Sequence, residues 1–181
     1  AKVPMTKEEV RWVSVARLGV QPGDTVWDIG AGTGAVTFEL ARKAMDGAVF
    51  AVERNAEAVE LIAQNRQKLG GFNVHIVPGH APEVLADLPK PDCVFVGGSG
   101  GNMRKIIETA LIKNPKARIV VNAIALETLQ ETQRLFAEFG LQQVEITQLS
   151  AARGKSIGCY TMMTANNPVF ILSGKGDKYG E

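Results

Sequence analysis

The chain has few of the residues that build metal sites or disulfide frameworks. It contains two cysteines and two histidines in 181 residues. Cys93 and Cys159 lie far apart, and neither has a second cysteine or a histidine at a spacing typical of metal ligands. The sequence therefore predicts no metal site. We expect both cysteines to be reduced thiols in the core, as is typical of a cytoplasmic protein.

Long apolar runs and blocks of one charge are absent as well. No apolar run reaches the roughly 18 residues that span a bilayer, and the first residues show no signal-peptide pattern. The 20 basic and 19 acidic residues are mixed along the chain, which gives a formal net charge of +1. We expect no membrane association. A nucleic-acid partner has no support, because the basic stripe typical of such binders is missing.

Apolar and helical segments alternate in a pattern typical of an α/β protein. Short segments with apolar centres predict strands that are covered on both faces, as in a parallel sheet. These segments are residues 25–30, 48–54, 73–78, 92–97 and 118–124. Residues 141–150 and 159–174 predict two long antiparallel strands at one edge of the sheet. We expect one domain over residues 1–181, with a doubly wound, mostly parallel seven-stranded sheet and an antiparallel C-terminal strand pair.

Capping residues mark the starts of three predicted helices. The segment "TKEE" at residues 6–9 predicts a capping box, in which the Thr6 hydroxyl and the Glu9 carboxylate bond to free backbone amides. Asn55 and Asn102 are predicted to cap the helices that follow the second and fourth strands.

The first predicted strand runs into a glycine-rich turn, "DIGAGTGA". Gly30, Gly32 and Ala35 match the loose dinucleotide pattern G-x-G-x-x-G/A, which by itself fits NAD. Asp28 favours another ligand, because a carboxylate repels a diphosphate and attracts an ammonium group. Gly34 gives the tighter form G-x-G-x-G, which lets the backbone approach a bulky uncharged nucleoside. A turn-capping role for Asp28 is the alternative.

Two further positions complete a predicted nucleoside site. Glu53 ends the second strand, where its carboxylate can accept hydrogen bonds from both ribose hydroxyls; a solvated strand end is the alternative. Ala81 follows the third strand and can offer backbone groups to an adenine edge, and His80 lies beside it. Asp28 can pair with an ammonium group, Glu53 can bind a ribose, and the segment at Ala81, which we call the adenine shelf, can contact an adenine. These three features together favour S-adenosylmethionine over NAD. The arrangement resembles the class I methyltransferases.

The loop after the fourth strand bears on the methyl acceptor. Amino-group methyltransferases that act on nucleic-acid bases usually carry Asn/Asp-Pro-Pro-aromatic at this position, whereas residues 96–102 read "VGGSGGN". A glycine-rich loop here borders the ligand crevice, leaves room for a large substrate and frees backbone amides to bind carboxylates.

Over nearly its whole length the chain resembles the decarboxylating precorrin methyltransferases of cobalamin biosynthesis, in their small stand-alone form. The motifs that carry the resemblance are "VPMTKEEVR" (3–11), "WDIGAGTG" (27–34), "GHAPE" (79–83), "VGGSGG" (96–101), "ET" (127–128), "AARG" (151–154) and "TMM…NPV" (161–169). The glycine motif is shared with many unrelated methyltransferases. The loop at 96–101 and the last two motifs, occurring in this order, are more specific.

The resemblance implies methyl transfer from S-adenosylmethionine to carbon 15 of cobalt-precorrin-6B, with loss of carbon dioxide from the ring C acetate to give cobalt-precorrin-7. It implies a homotetramer. The stand-alone arrangement resembles the anaerobic branch, in which cobalt is already in the ring. The cofactor contacts that we expect are Thr6, Asp28, Gly30, Ala31, Gly32, Thr33, Gly34, Glu53 and Ala81.

Such an acceptor carries many carboxylates, which basic side chains and loop amides can bind. The substrate-binding residues that we predict are Gly98, Ser99, Gly100, Arg104 and Arg153; a solvated surface is the alternative for the basic ones. No catalytic acid or base is predicted, because in-line methyl transfer depends mainly on positioning. Two other functions remain open, a methyltransferase of RNA or protein and a non-catalytic S-adenosylmethionine-binding protein.

Overall fold

The structure is a computed structural model that describes residues 5–177, so the first two residues of the motif at 3–11 lie outside the described part. The α-helices are α1 (Glu8–Leu18), α2 (Ala35–Lys43), α3 (Ala56–Leu69), α4 (Met103–Lys113) and α5 (Leu126–Glu138), with a short 3₁₀ helix at Glu83–Asp87. The strands are β1 (Thr25–Ile29), β2 (Ala48–Glu53), β3 (Val74–Pro78), β4 (Cys93–Val96), β5 (Arg118–Ala123), β6 (Gln142–Leu149), β7 (Ala152–Ile157), β8 (Tyr160–Ala165) and β9 (Val169–Lys175).

Seven of these strands form one sheet in the order β3-β2-β1-β4-β5-β9-β6. Strands β1 to β5 pair in parallel, whereas β9 is antiparallel to both β5 and β6. The order of the parallel strands reverses between β1 and β4, which opens a crevice at their carboxyl ends. The predicted doubly wound, mostly parallel sheet is confirmed, and each of the five predicted parallel strands ends within one residue of its expected bounds.

Helices cover both faces of the sheet, which explains why its central strands are apolar throughout. Successive side chains of a strand point to opposite faces. Trp27 and Ile29 of β1 lie in the layer that contains Phe136 of α5, whereas Val26 lies in the opposite layer with Leu40 of α2. All five side chains are at most 1% exposed. Burial of one large apolar side chain contributes about 1.5–3 kcal/mol to folding, so these two layers hold the sheet together.

The C-terminal region differs from the prediction. The antiparallel pair of the main sheet is present as β6 and β9, but residues 159–174 do not form one long strand. Strands β7 and β8 instead form a separate antiparallel hairpin, and Gly158 takes the positive φ of 61° that its tight turn requires. Every residue of both hairpin strands is exposed. The apolar pattern could not reveal a hairpin that has no buried face.

The three predicted helix caps have different outcomes. Asn55 caps α3, and its side chain accepts a hydrogen bond from the Ala58 amide at 3.1 Å. The capping box is wrong: α1 begins after Lys7 with no side-chain cap, because Glu9 pairs with Arg153 instead. Asn102 does precede α4, but its side chain makes no cap.

The two cysteines also differ. Cys93 is a buried free thiol in β4, as predicted, and burial raises its pKa to about 12. The prediction of a core position for Cys159 is wrong, because the turn of the hairpin leaves this free thiol exposed. No helix in the described range 5–177 is long and apolar enough to cross a bilayer.

Candidate active site

A cavity of about 780 Å³ opens at the carboxyl ends of the parallel strands. Its wall comes from the loops that follow β1, β2, β3, β4 and β5, together with residues 5–7 and 166–167. Its volume lies within the range of small-molecule sites, and its position at the strand-order reversal is where α/β sheets bind ligands.

The glycine turn after β1 forms one wall of the cavity. Gly30, Gly32 and Gly34 have φ values of 73°, 57° and 79°, a region that favours glycine. A Cβ atom on Gly30 would lie 2.7 Å from the carbonyl oxygen of Gly98, so glycine is required for the turn to meet the loop after β4. The glycine turn and the loop after β4 both line the cavity, and within the turn Ala31 and Thr33 contribute to the wall as well.

Gly34 has a different position from its neighbours. It is buried as the residue before α2 and is not part of the cavity wall. A Cβ atom there would lie 2.9 Å from the Phe38 ring and 3.2 Å from Ile62. Packing of the turn against α2 and α3 therefore requires a glycine at this position, and a contact of Gly34 with the cofactor stays a prediction.

Glu53 connects the end of β2 to the glycine turn. Its Oε2 atom accepts a hydrogen bond from the Gly32 amide at 2.9 Å, and Oε1 accepts from the Arg54 and Asn55 amides at 2.8 Å each. The residue lines the cavity and is half-buried. A carboxylate offers about four acceptor positions, so Glu53 keeps capacity for a ligand hydroxyl.

Asp28 lies beneath the turn and does not line the cavity. Its side chain is fully buried, Thr37 Oγ1 donates to Oδ2 at 2.5 Å, and Oδ1 has no hydrogen-bond partner in the part of the chain that the structure describes. Burial raises the pKa of Asp28 to about 7, although the bond from Thr37 opposes the rise. Asp28 thus supports the turn from beneath, as a buried carboxyl group that the cavity does not reach.

The loops after β3 and β4 are tied together on the far side of the cavity. Asn102 donates from Nδ2 to the carbonyl oxygen of Ala81 at 3.2 Å, which explains why it does not cap α4. Ala81 lines the cavity, and so do Gly98, Ser99 and Gly100. The structure thus brings the predicted adenine shelf next to the predicted acceptor loop.

Thr6 lines the cavity just before α1, where its carbonyl oxygen accepts a hydrogen bond from Arg11 at 3.2 Å. The two predicted arginines do not line it. Arg104 forms two hydrogen bonds to Glu138, at 2.7 and 2.6 Å, and these lower the pKa of Glu138. Arg153 of β7 binds Glu9 at 2.6 Å and Glu8 at 3.2 Å.

Several polar wall residues were missed by sequence reasoning. They are Lys7, Arg54, Asn122, Thr128, Asn166 and Asn167. Arg54 directly follows Glu53, and Asn122 lies near the carboxyl end of β5, so position after a parallel strand was an available signal for both. The side chain of Asn122 is held 2.9 Å from the buried Ser14 hydroxyl.

The chemistry available to the cavity follows from its titratable groups. Within the described range these are Lys7, Glu53, Arg54 and His80, and Glu53 is already engaged by three backbone amides. The same residues 5–177 contain no group of three or more His, Cys, Asp or Glu that could hold a metal ion. The geometry suits binding and orientation of an organic ligand more than metal chemistry.

Comparison with known proteins agrees with this geometry. A family described as "Precorrin methyltransferase domain" matches residues 2–175. The probable cobalt-precorrin-6B C(15)-methyltransferase (decarboxylating) of Pyrobaculum calidifontis is 43% identical over 173 residues, which cover 94% of this chain and 88% of the relative.

Two solved structures share both fold and sequence with the chain. The precorrin-6Y C5,15-methyltransferase of Geobacter metallireducens has a TM-score of 0.90 at 38% identity and covers 97% of this chain and 92% of its own. The precorrin-8W decarboxylase of Methanobacterium thermoautotrophicum has a TM-score of 0.88 at 39% identity, with coverages of 95% and 92%. The chain therefore belongs to the precorrin methyltransferase family.

Proposed function

We propose that this enzyme methylates carbon 15 of cobalt-precorrin-6B with S-adenosylmethionine and removes carbon dioxide from the ring C acetate, which gives cobalt-precorrin-7. The observation that carries the proposal is the match of the precorrin methyltransferase family to residues 2–175. A relative that is 43% identical over 94% of this chain is named for the same reaction. We propose that a single domain performs both steps.

The residues on the cavity wall fit S-adenosylmethionine. When bound, the cofactor supplies an electrophilic methyl group. Glu53 lines the cavity and has acceptor capacity for the ribose, whereas Asp28 lies beneath the turn and off the cavity wall. We propose that Thr6, Ala81 and the turn at 30–33 complete the cofactor site, since all of them line the cavity.

The acceptor is placed by the loop after β4. Gly98, Ser99 and Gly100 line the cavity next to the glycine turn, so a macrocycle bound against them would lie beside the cofactor site. Holding two reactants in a reactive geometry lowers a barrier by several kcal/mol without a dedicated base. The conjugated ring takes up the electron pair that carbon dioxide leaves behind.

Mass spectrometry of the product tests this function. Incubation of the protein with S-adenosylmethionine and cobalt-precorrin-6B is expected to yield a product that is heavier by one methyl group and lighter by carbon dioxide. An unchanged mass with authentic substrate would refute the proposal. Turnover on RNA or protein instead would identify the alternative class of methyltransferase.

We also propose a homotetramer in the cytoplasm. The hairpin β7–β8 exposes Ile157, Tyr160 and Met162 on one face and Met163 on the other, each at least 53% accessible, which is an unusual number of exposed apolar side chains for a free surface. The exposed free thiol of Cys159 suits a reducing compartment. Sedimentation that finds only monomers at micromolar concentration would contradict the tetramer.

A further inference from the structure

Two cations on the cavity wall have no partner among the described residues 5–177. Lys7 precedes α1 and Arg54 follows β2, and both side chains are exposed. Over residues 5–177, neither side chain forms an ion pair or a hydrogen bond. The predicted substrate residues Arg104 and Arg153, in contrast, are satisfied by glutamates. Lys7 and Arg54 are therefore free to bind an anionic ligand.

The balance of charge on the wall is positive. Glu53 is the single carboxylate among the described lining residues, and three backbone amides already bind it. S-adenosylmethionine carries one carboxylate beside an ammonium and a sulfonium group, so it can neutralise at most one of the two cations. The carboxylates of the other substrate are available to the cation that the cofactor leaves free.

Arg54 reaches the loop that borders the acceptor. Its Nη1 atom lies 3.6 Å from the position that a Cβ atom on Gly100 would occupy. The guanidinium thus reaches from the end of β2 to the loop after β4 at Gly100. A planar guanidinium can bind a carboxylate through two parallel N–H bonds, and glycine-loop amides can add further donors.

We propose that Arg54, assisted by Lys7, binds acetate or propionate carboxylates of the acceptor and so selects a polycarboxylate macrocycle. This inference rests on the proposed function. Phosphates of RNA would also attract cations, but the chain has a formal net charge of only +1 and its basic residues are mixed with acidic ones. A compact ligand with several carboxylates fits two isolated cations in a cavity better.

Charge-removing variants separate acceptor binding from cofactor binding. The test variants are Arg54→Gln, Arg54→Lys and Lys7→Gln, and the matched controls are Arg42→Gln and Lys116→Gln. Arg42 and Lys116 are exposed at the opposite end of the sheet, and Glu39 keeps its pairing with Arg11 when Arg42 is lost.

The measurements are KM for cobalt-precorrin-6B and Kd for S-adenosylmethionine by calorimetry. Arg54→Gln is expected to raise KM about tenfold, because a charge-assisted hydrogen-bond pair is lost. Arg54→Lys and Lys7→Gln should show smaller increases. The controls should change KM by less than about twofold, as for surface charges. Cofactor affinity should stay within about twofold for every variant, and this also shows that each variant is folded.

Two outcomes would overturn the inference. Unchanged KM in Arg54→Gln and Lys7→Gln would show that neither cation binds the acceptor. A weakened cofactor Kd in Arg54→Gln would place this side chain at the cofactor instead. Failure of the wild-type chain to convert the acceptor, despite binding the cofactor, would be a different result, because it would refute the proposed function itself. If Arg54→Gln does not fold, the KM values of Arg54→Lys and Lys7→Gln are compared with that of wild type instead.

Discussion

At the scale of single residues, Glu53 has one role that the structure shows and one that we propose. It fixes the glycine turn through the Gly32 amide and keeps acceptor capacity for a ribose. We predict that Glu53→Ala weakens binding of S-adenosylmethionine by about 1–3 kcal/mol, because charged acceptor bonds are lost. Calorimetry measures this directly. Glu57→Ala, an exposed change in the first turn of α3, is the control and should leave affinity unchanged. Equal affinity of wild type and Glu53→Ala would refute the cofactor role.

Asp28 predicts a dependence of stability on pH. Its pKa rises from 3.8 to about 7 because the folded chain buries it. Between these values the folded state keeps a proton that the unfolded state has lost. The free energy of unfolding therefore falls as the pH rises from about 4 to about 7, and it does not recover above that. The full effect is at most about 4 kcal/mol.

Asp28→Asn removes this ionisation and keeps a side chain that can bind Thr37. We expect the variant without cofactor to unfold at a higher temperature than wild type at pH 8, and at nearly the same temperature at pH 4.5. Thermal unfolding at the two pH values checks the difference. An equal shift of Tm at both would contradict the buried, proton-binding carboxyl group.

The sequence was enough to place a residue on the cavity wall where its position at the end of a parallel strand determines that placement. Glu53 follows a parallel strand, and the structure places it on the cavity wall next to the turn. Gly34 and Asp28 share the same motif, but neither lines the cavity, because one packs on Phe38 and the other is held by Thr37. Whether a residue of this motif lines the cavity or lies behind it depends on how the helices pack on the turn, which the sequence does not show.

At the scale of elements, the contact between the turn after β1 and the loop after β4 determines the shape of the cavity. We predict that Gly30→Ala destabilises the protein by at least about 2 kcal/mol, since it combines a positive φ of 73° with a backbone contact of 2.7 Å. It should also weaken cofactor binding. Chemical denaturation and calorimetry measure the two effects.

Gly19→Ala is the matched control for this contact. Gly19 ends α1 with a φ of 62°, and a Cβ atom there would have no neighbour within 4 Å. The substitution should cost only the conformational penalty of about 1–2 kcal/mol and leave cofactor affinity intact. Equal losses of stability in the two variants would show that the turn does not need its close approach to Gly98.

The elements themselves were predictable to the extent that they bury apolar residues. All four residues of β4 are buried, and its apolar run was recognised. The hairpin β7–β8 has no buried residue, so its strands carry no alternating pattern. The capping box failed because Arg153, 144 positions away, competes for Glu9. Pairings over such distances are decided by the tertiary structure.

At the scale of the whole molecule, the fold brings most of the residues predicted to bind cofactor and acceptor to one cavity. The strand order brings the ends of β1, β2, β4 and β5 to a single cavity. The alternation of strands and helices along the chain, with the motifs placed after the strands, was enough to predict the sheet and the position of its ligand crevice. It was not enough to tell which basic residues face the ligand, because Arg104 and Lys7 look alike until their partners are known.

The most direct test of the central claim is the ratio of the two reaction products. With methyl-labelled S-adenosylmethionine and cobalt-precorrin-6B under single-turnover conditions, both incorporated methyl and released carbon dioxide can be counted. One cavity that performs both steps predicts one carbon dioxide for each methyl group, with the label at carbon 15. Methyl incorporation without release of carbon dioxide, or a label at another carbon, would contradict the account.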